Sequence, residues 1–166
     1  MYYLLILAVG IERLVELVVS NRNAQWSFAH GGKEFGRPHY WVMVAIHIAL
    51  LVGCIVEPWA LHRPFIGWLG WPMLAVVALS QALRWWCVGT LGHRWNTLVI
   101  VVSQAPLVRR GPYRWLHHPN YVAVVVEGVA LPLVHTAWLT AFCFTTVNAL
   151  LLTVRIRVEN AALGYR

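Results

Sequence analysis

The stretch of the sequence best suited to chemistry covers residues 107–127 and reads LVRRGPYRWLHHPNYVAVVVE. A Gly-Pro turn is followed by basic and aromatic residues and then by HPNY, which begins at His118. Pro119 suits the first turn of a helix, because its missing N–H costs nothing there. The N–H groups of that turn, with His118, can bind an anion, while Tyr113 and Tyr121 offer aromatic surface to a flat ring or a cation. The alternative is a basic, aromatic anchor at a membrane interface.

A second candidate site lies near the C-terminus, where Arg155 and Glu159 are one helical turn apart. An arginine at this position can hold an anionic or enolic oxygen, and a carboxylate can bind an amine or sulfonium or accept a proton. The pair can equally be a plain i,i+4 salt bridge. Convergence of both stretches on one mouth of a helical bundle favours a pocket.

Polar residues also interrupt the apolar segments. Glu12 and Glu16 are one helical turn apart, and Arg13 can reach Glu16 at i,i+3. Because charges inside a membrane are costly, we expect this group to form an ion pair that fastens its helix to neighbouring helices. We predict that His47 and Asn148 form hydrogen bonds between helices.

The composition indicates the setting of these residues. Of 166 residues, 60% are hydrophobic and 11% are charged. This apolar content exceeds that of soluble domains and excludes a disordered chain. The cysteines at positions 54, 87 and 143 lie in or beside apolar runs without CxxC spacing, which predicts buried thiols and no disulfide framework or metal site.

We therefore predict an all-α integral membrane protein in which residues 1–166 form a single domain with about five transmembrane helices. The first apolar run carries internal charges and no basic leader, so we do not expect a cleavable signal peptide. The fourth span is marginal in length. Residues 87–118, including a short β-branched segment at 97–103, are expected to form a structured cytoplasmic loop before the fourth span. The predicted spans are 1–20, 40–56, 65–86, 119–134 and 137–154.

The net charge of +7 predicts the orientation. Eleven of the thirteen Lys and Arg residues fall on one side of the five spans, and by the positive-inside rule that side is cytoplasmic. The N-terminus is then outside, and the C-terminus and active site are cytoplasmic. Basic residues placed in this way do not favour nucleic-acid binding. Seven tryptophans near span ends suit the membrane interface: Trp41, Trp59, Trp68, Trp71, Trp85, Trp86 and Trp138.

The C-terminal half resembles the isoprenylcysteine carboxyl methyltransferase family of integral membrane methyltransferases. The resemblance lies in GPYRWLHHPNYVAVVVEGVALPL and in a late helix containing Arg155, Glu159, Asn160 and Leu163. The segments IERLVELVVSNRNAQW, GGKEFGRPHYWVMVAIHIALL and RWWCVGTLGHRWNT resemble the small bacterial branch associated with O-methylation of alkylpyrones and alkylresorcinols. These N-terminal segments are interpreted as markers of the branch rather than of the chemistry.

The resemblance implies an S-adenosylmethionine-dependent O-methyltransferase in the bacterial inner membrane. It implies Arg155 and Glu159 as catalytic residues, with Arg155 facing the substrate oxygen and Glu159 holding the cofactor. The absence of a strand followed by GxGxxG excludes the soluble Rossmann-type methyltransferase fold. The resemblance implies the following cofactor-binding residues: Leu107, Val108, Tyr113, His118, Pro119, Asn120, Tyr121 and Glu159.

The expected substrate is a lipophilic molecule that carries an acidic oxygen and enters the protein from the bilayer. Membrane lipids are the other expected partners. A long-chain alkylpyrone or alkylresorcinol made by a type III polyketide synthase is preferred. The alternatives are an isoprenylcysteine carboxylate and a phospholipid amine. Two positions depart from the family motif: His117 replaces its arginine, and Asn160 replaces its second glutamate. These departures leave open a non-catalytic membrane scaffold.

Overall fold

The computed structural model describes residues 1–102 and 105–164. Five helices account for most of it: α1 (Tyr2–Ala29), α2 (Arg37–Ala60), α3 (Gly67–Leu91), α4 (Pro119–Leu133) and α5 (Trp138–Leu163). Short 3-10 turns cover Gly92–Arg94 and Gly111–Arg114. Ser103, at the end of the predicted β-branched segment, and Arg166, in the charge count, lie outside the described residues.

Two short strands correct the prediction of an all-α chain. β1 (Gly32–Phe35) pairs antiparallel with β2 (Val99–Val102), so that Gly32 lies opposite Val102 and Phe35 opposite Val99. The first strand lies in the polar stretch before α2, and the second lies in the loop before α4. The chain is therefore mostly helical with a small sheet, and we call the end of the bundle that holds this sheet the sheet end.

Within residues 1–102 and 105–164, three segments are long and apolar enough to cross a membrane: Arg37–Ala60, Gly67–Arg94 and Trp138–Leu163. Helix α4, with 15 residues, is shorter, as expected for the marginal fourth span. Helix α1 has 28 residues but carries three charges in its middle, and it continues through Ala29, well beyond the predicted end at residue 20. The structure thus supports an integral membrane protein with three candidate spans.

The apolar core lies at the end of the bundle opposite the sheet. Its buried residues come from all five helices, and α4 packs tightly against α5 at Gly128. A Cβ added to Gly128 would lie 2.1 Å from the Phe144 ring, so only glycine permits this contact. The core residues are Tyr2, Ile6, Val9, Leu50, Cys54, Val77, Ala130, Leu131, Val134 and Phe144.

Glu57 fixes the start of α5 at this same end. Its carboxylate accepts hydrogen bonds from the backbone N–H groups of Leu139 (3.1 Å) and Thr140 (2.7 Å) and from the Thr140 hydroxyl (2.8 Å). Arg63 pairs with it at 3.1 Å. A helix N-terminus leaves such N–H groups unpaired and favours negative charge, so Glu57 supplies both the acceptors and the charge.

A charged network joins α1, α3 and α4 in the middle of the bundle. Arg13 contacts Glu16 at 2.8 Å, as predicted, and also reaches Glu127 at 3.5 Å. Arg84 pairs with Glu127 at 2.5 Å and with Glu16 at 3.6 Å. Because each carboxylate has an arginine from another helix, the network compensates charges that would be costly alone and fixes the relative positions of the three helices.

The cysteines only partly match the prediction of buried thiols. All three are free, and Cys54 and Cys87 are buried. Cys143 is exposed on α5, so the prediction is wrong for this residue. Its side chain faces away from the neighbouring helices because α5 buries the opposite face, which contains Ala141 and Phe144.

Candidate active site

The Gly-Pro-Tyr turn predicted from the sequence packs against the end of α3. Gly111 has φ +56°, a conformation that glycine adopts without strain, and a Cβ there would lie 2.5 Å from the Thr90 hydroxyl. The turn places Tyr113 beside the Cys87 thiol. Burial, and secondarily the proximity of Cys87, raises the pKa of the Tyr113 phenol. Tyr113 therefore stays neutral and can offer a hydroxyl and an aromatic face.

The start of α4 is formed by His118 and Pro119. Pro119 occupies the first turn, as predicted, and is fully buried. His118 Nε2 donates to the side-chain oxygen of Asn160 at 2.9 Å, and its Nδ1 lies 3.7 Å from the Glu159 carboxylate. Asn160, one of the two departures from the family motif, therefore accepts a hydrogen bond that positions the imidazole.

Tyr121 links the two predicted sites. Its hydroxyl donates to Oε2 of Glu159 at 2.5 Å, and Nε of Arg155 donates to the same hydroxyl at 3.4 Å. Its ring stacks on His118, with the centroids 5.4 Å apart. Arg155 and Glu159 thus meet through the Tyr121 hydroxyl, an arrangement that the i,i+4 spacing alone does not give.

Arg155 is held by groups from two other parts of the chain. One terminal nitrogen contacts Sδ of Met43 on α2 at 2.9 Å, and the other donates to the Thr97 carbonyl at 2.8 Å. The residue is only 6% exposed. A guanidinium has five N–H donors, so the three contacts to Met43, Thr97 and Tyr121 leave two for a ligand.

The segment that holds Arg155 is itself fastened to α1. Asn23 donates to the Trp95 carbonyl at 2.7 Å, and the Ser20 hydroxyl contacts both the backbone N–H and the hydroxyl of Thr97 at 2.9 and 2.8 Å. Sequence reasoning missed these residues and Met43. The resemblance to a known family could have indicated them, because the segments that carry it include NRNAQW, GGKEFGRPHYWVMV and RWNT. These contain Asn23, Met43 and Thr97, respectively. These segments therefore supply residues that position the candidate site.

All the predicted site residues except Pro119 line one cavity of about 420 Å³ at the sheet end. Leu107 and Val108 lie on its wall, in a segment anchored where Arg94 donates to the Pro106 carbonyl at 2.6 Å. His117 also lines the cavity. Pro119 does not, because it is buried in the first turn of α4. The remaining predicted residues that line the cavity are Tyr113, His118, Asn120, Tyr121, Arg155 and Glu159.

The cavity continues between the helices toward the middle of the bundle, where His47 and Asn148 line it. The prediction that both form hydrogen bonds between helices is not confirmed. His47 Nδ1 donates to the Met43 carbonyl of its own helix at 2.8 Å. The side-chain oxygen of Asn148 is buried and has no hydrogen-bond partner among the described residues.

A helical bundle with a charged, aromatic cavity mouth and mostly apolar cavity walls defines an integral membrane protein that can bind an amphiphilic small molecule. Residues 73–165, more than half of the chain, match the isoprenylcysteine carboxyl methyltransferase (ICMT) family. The chain belongs to this family. Every residue predicted to bind cofactor or substrate lies in the matched part, whereas the walls supplied by α1 and α2 lie before it.

Two bacterial proteins are similar along nearly their whole length. The uncharacterized protein YpbQ of Bacillus subtilis (strain 168) is 38% identical over 164 residues, which cover 98% of this chain and 96% of YpbQ. An uncharacterized protein of Haemophilus influenzae is 24% identical over 156 residues, covering 92% of this chain and 89% of that protein.

The fold is similar to that of the eukaryotic intramembrane Ras methyltransferase ICMT. The two structures superpose with a TM-score of 0.60 and 26% sequence identity. The match covers 73% of this chain and 44% of the eukaryotic enzyme, so this chain spans less than half of that enzyme's length. Family and fold together support a membrane methyltransferase.

Proposed function

We propose that this protein is an S-adenosylmethionine-dependent O-methyltransferase that acts on an acidic oxygen of a lipophilic substrate. One observation carries the proposal: Arg155 and Glu159 face a single cavity and are joined through Tyr121. An arginine suits an acidic oxygen, whereas a carboxylate suits the amine or sulfonium of the cofactor. One cavity thus offers complementary groups to both reactants.

The residues at the mouth of the cavity fit the cofactor. The Asn120 side-chain oxygen and the Trp95 indole N–H are buried without hydrogen-bond partners among the described residues, and both residues line the cavity. They leave one acceptor and one donor for a ligand, while Tyr121 and His118 offer stacked rings. The volume lies in the range of about 300–1,000 Å³ typical of small-molecule sites. When bound, S-adenosylmethionine supplies a methyl group on a positively charged sulfur.

Arg155 is suited to orient the substrate oxygen. Among the described residues its contacts are a hydroxyl, a sulfur and a carbonyl, none of which carries a full negative charge. A buried cation of this kind favours the anionic form of an enol, phenol or carboxylic acid beside it. Because the same charge repels an ammonium group, the site favours an acidic oxygen over the amine of a phospholipid. The protein's contribution is then mainly positioning.

The apolar part of the substrate has a route from the membrane between α1 and α2. Leu14 is 63% exposed and Ile48 is 58% exposed, yet both line the cavity. Residues that face the outside and the cavity at once lie at an opening. A tail in the bilayer can enter there, while the polar cofactor enters at the sheet end.

Within acidic oxygens, we propose the hydroxyl of an alkylpyrone or alkylresorcinol as substrate, which would link the protein to a type III polyketide synthase. The alternative is an isoprenylcysteine carboxylate. Both combine an ionisable oxygen with a long apolar tail. The proposal rests on the bacterial-branch segments IERLVELVVSNRNAQW and RWWCVGTLGHRWNT, which also hold α1 against the segment around Thr97.

The test is methyl transfer from labelled S-adenosylmethionine by protein in lipid nanodiscs. An alkylresorcinol, an alkylpyrone, a farnesylated cysteine and phosphatidylethanolamine are offered separately. We expect the alkylresorcinol and the alkylpyrone to become labelled. If only the farnesylated cysteine became labelled, the isoprenylcysteine carboxylate would be the substrate instead. Arg155→Ala and Glu159→Ala should abolish transfer, whereas the exposed Arg157→Ala on the same helix should retain it.

Calorimetry with S-adenosylmethionine separates an enzyme from a membrane scaffold. We expect binding by the wild type and at least tenfold weaker binding by Glu159→Ala, because removal of a charged hydrogen-bond partner costs about 1.5–3 kcal/mol. No binding by the folded wild-type protein, by calorimetry at two temperatures, would exclude the enzyme and favour the scaffold.

A further inference from the structure

The inner part of the cavity is polar, although it lies among helices that are otherwise apolar. Glu16 on α1, Arg84 on α3 and Asn148 on α5 line it, with exposed fractions of 4%, 4% and 2%. None of these residues belongs to the proposed cofactor or methyl-transfer site. We refer to these three residues as the inner polar group.

Asn148 has hydrogen-bonding capacity that the described protein does not use. Its side-chain oxygen is buried and has no partner among the described residues. Buried polar groups in folded proteins are almost always satisfied by protein, water or ligand. Because Asn148 lines the cavity, the missing partner can be supplied from within it.

The two charged residues of the inner polar group, Glu16 and Arg84, each also have one polar atom without a hydrogen bond to the described residues. Arg84 Nε and Glu16 Oε1 lie 3.6 Å apart as an ion pair, but neither makes a hydrogen bond with the described residues. The charges are thus compensated while one donor and one acceptor remain available. His47, on the neighbouring wall, donates its Nδ1 proton to its own helix, which leaves Nε2 as an acceptor.

The distance between the inner polar group and the methyl-transfer site follows from helix geometry. Asn148 and Arg155 are seven residues apart on α5, which is two helical turns on one face and about 10 Å along the axis. Both residues line the same cavity. If the methyl-accepting oxygen of a substrate lies at Arg155, the part of its tail about 10 Å from that oxygen lies beside the inner polar group.

We propose that the inner polar group is a second recognition subsite, which binds a hydroxyl on the substrate's tail about 10 Å from the methyl-accepting oxygen. This inference rests on the proposed function and specifies its substrate class. A tail made only of methylene groups would leave Asn148 without a partner. The subsite therefore favours an alkylpyrone or alkylresorcinol whose chain carries a hydroxyl over one with a plain alkyl chain.

The test measures binding without methyl transfer. Two isomeric hydroxyoctadecanoates serve as probes, one with the hydroxyl beside the carboxylate and one with it about eight carbons away. Competition with a fluorescent fatty acid in nanodiscs gives their affinities. We expect the distal isomer to bind about three- to tenfold more tightly, the range that one hydrogen bond provides. Equal affinities in the wild type overturn the proposal, and because the isomers have the same composition, this comparison needs no variant.

Asn148→Leu assigns the effect to the subsite. We expect this variant to lose the preference for the distal isomer. Thr146→Val is the matched control, because Thr146 is exposed on the same helix and its hydroxyl bonds to the Phe142 carbonyl. A preference that persists in folded Asn148→Leu overturns the assignment. S-adenosylmethionine binding is measured on the same samples: its absence refutes the proposed function, whereas its presence with equal isomer affinities refutes only the subsite.

Discussion

The hydroxyl of Tyr121 donates a hydrogen bond to the Glu159 carboxylate at 2.5 Å and so joins the start of α4 to the end of α5. The same hydroxyl accepts a hydrogen bond from Arg155. One phenol therefore sets the separation between the group proposed to hold the cofactor and the group proposed to orient the substrate. The geometry of both proposed binding sites depends on this contact.

Tyr121→Phe should weaken S-adenosylmethionine binding by about ten- to a hundredfold, because a hydrogen bond to a charged group contributes about 1.5–3 kcal/mol. The ring and its stacking on His118 remain, so the fold should be kept. Calorimetry measures the change. Tyr3→Phe, at an exposed tyrosine on α1, is the control. An unchanged affinity in Tyr121→Phe would show that Glu159 does not need this partner.

Arg155→Lys should lower kcat about a hundredfold or more, even though the positive charge is kept. Lysine cannot reproduce the planar fork with which Arg155 contacts Tyr121, Met43 and Thr97 at once. Methyl-transfer rates at saturating substrate measure the effect. Arg157→Lys, at an exposed position on the same helix, should leave kcat unchanged. If Arg155→Lys behaved like that control, charge alone would account for the role of Arg155.

Glu57→Gln should lower the free energy of unfolding by about 1–3 kcal/mol without changing cofactor affinity. The substitution removes the charge that Arg63 and the start of α5 share, at the end of the bundle opposite the sheet. The loss of stability is measured as a lower thermal unfolding midpoint in detergent. Glu34→Gln removes a looser pair with Arg37, whose side chain is 78% exposed, and should have little effect. Equal midpoints for both variants would contradict the capping role of Glu57.

Gly128→Ala should destabilise the protein by about 1–3 kcal/mol, because the added methyl group overlaps the Phe144 ring and separates α4 from α5. Gly89→Ala, at a position with open space around it on α3, should instead stabilise the helix by about 0.5–1 kcal/mol. Unfolding midpoints distinguish the two signs. Phe144→Leu should partly rescue Gly128→Ala, and a failure to rescue would place the strain elsewhere.

Local motifs predicted many of the residues that line the cavity, because these residues lie close together in the sequence or on one helical face. The turn before Tyr113, the proline in the first turn of α4 and the one-turn spacing of Arg155 and Glu159 all follow from backbone rules that act over a few residues. The pairing of Arg13 with Glu16 is local in the same way. The positions of Met43 and Thr97 beside Arg155 are not local, because they depend on how α2 and the segment before β2 pack against α5.

Two predictions failed for related reasons. The short strands escaped detection because each has four residues and depends on a partner about 67 residues away for its hydrogen bonds. The hydrogen bonds expected for His47 and Asn148 presumed direct contact between helices, whereas a cavity lies beside both residues. Hydropathy indicates that a helix is apolar, but it does not indicate whether neighbouring helices pack in direct contact or leave a cavity between them.

The sequence by itself determined the membrane setting, most of the helical elements and many of the residues that line the cavity, because hydropathy, helix starts and one-turn spacing are local properties. Only the tertiary structure decided that Tyr121 joins Arg155 to Glu159, that α1 and α2 wall the cavity, and that a polar group lies about 10 Å inside it. These relationships arise from packing between helices distant in the chain, where shape and charge compensation select one arrangement.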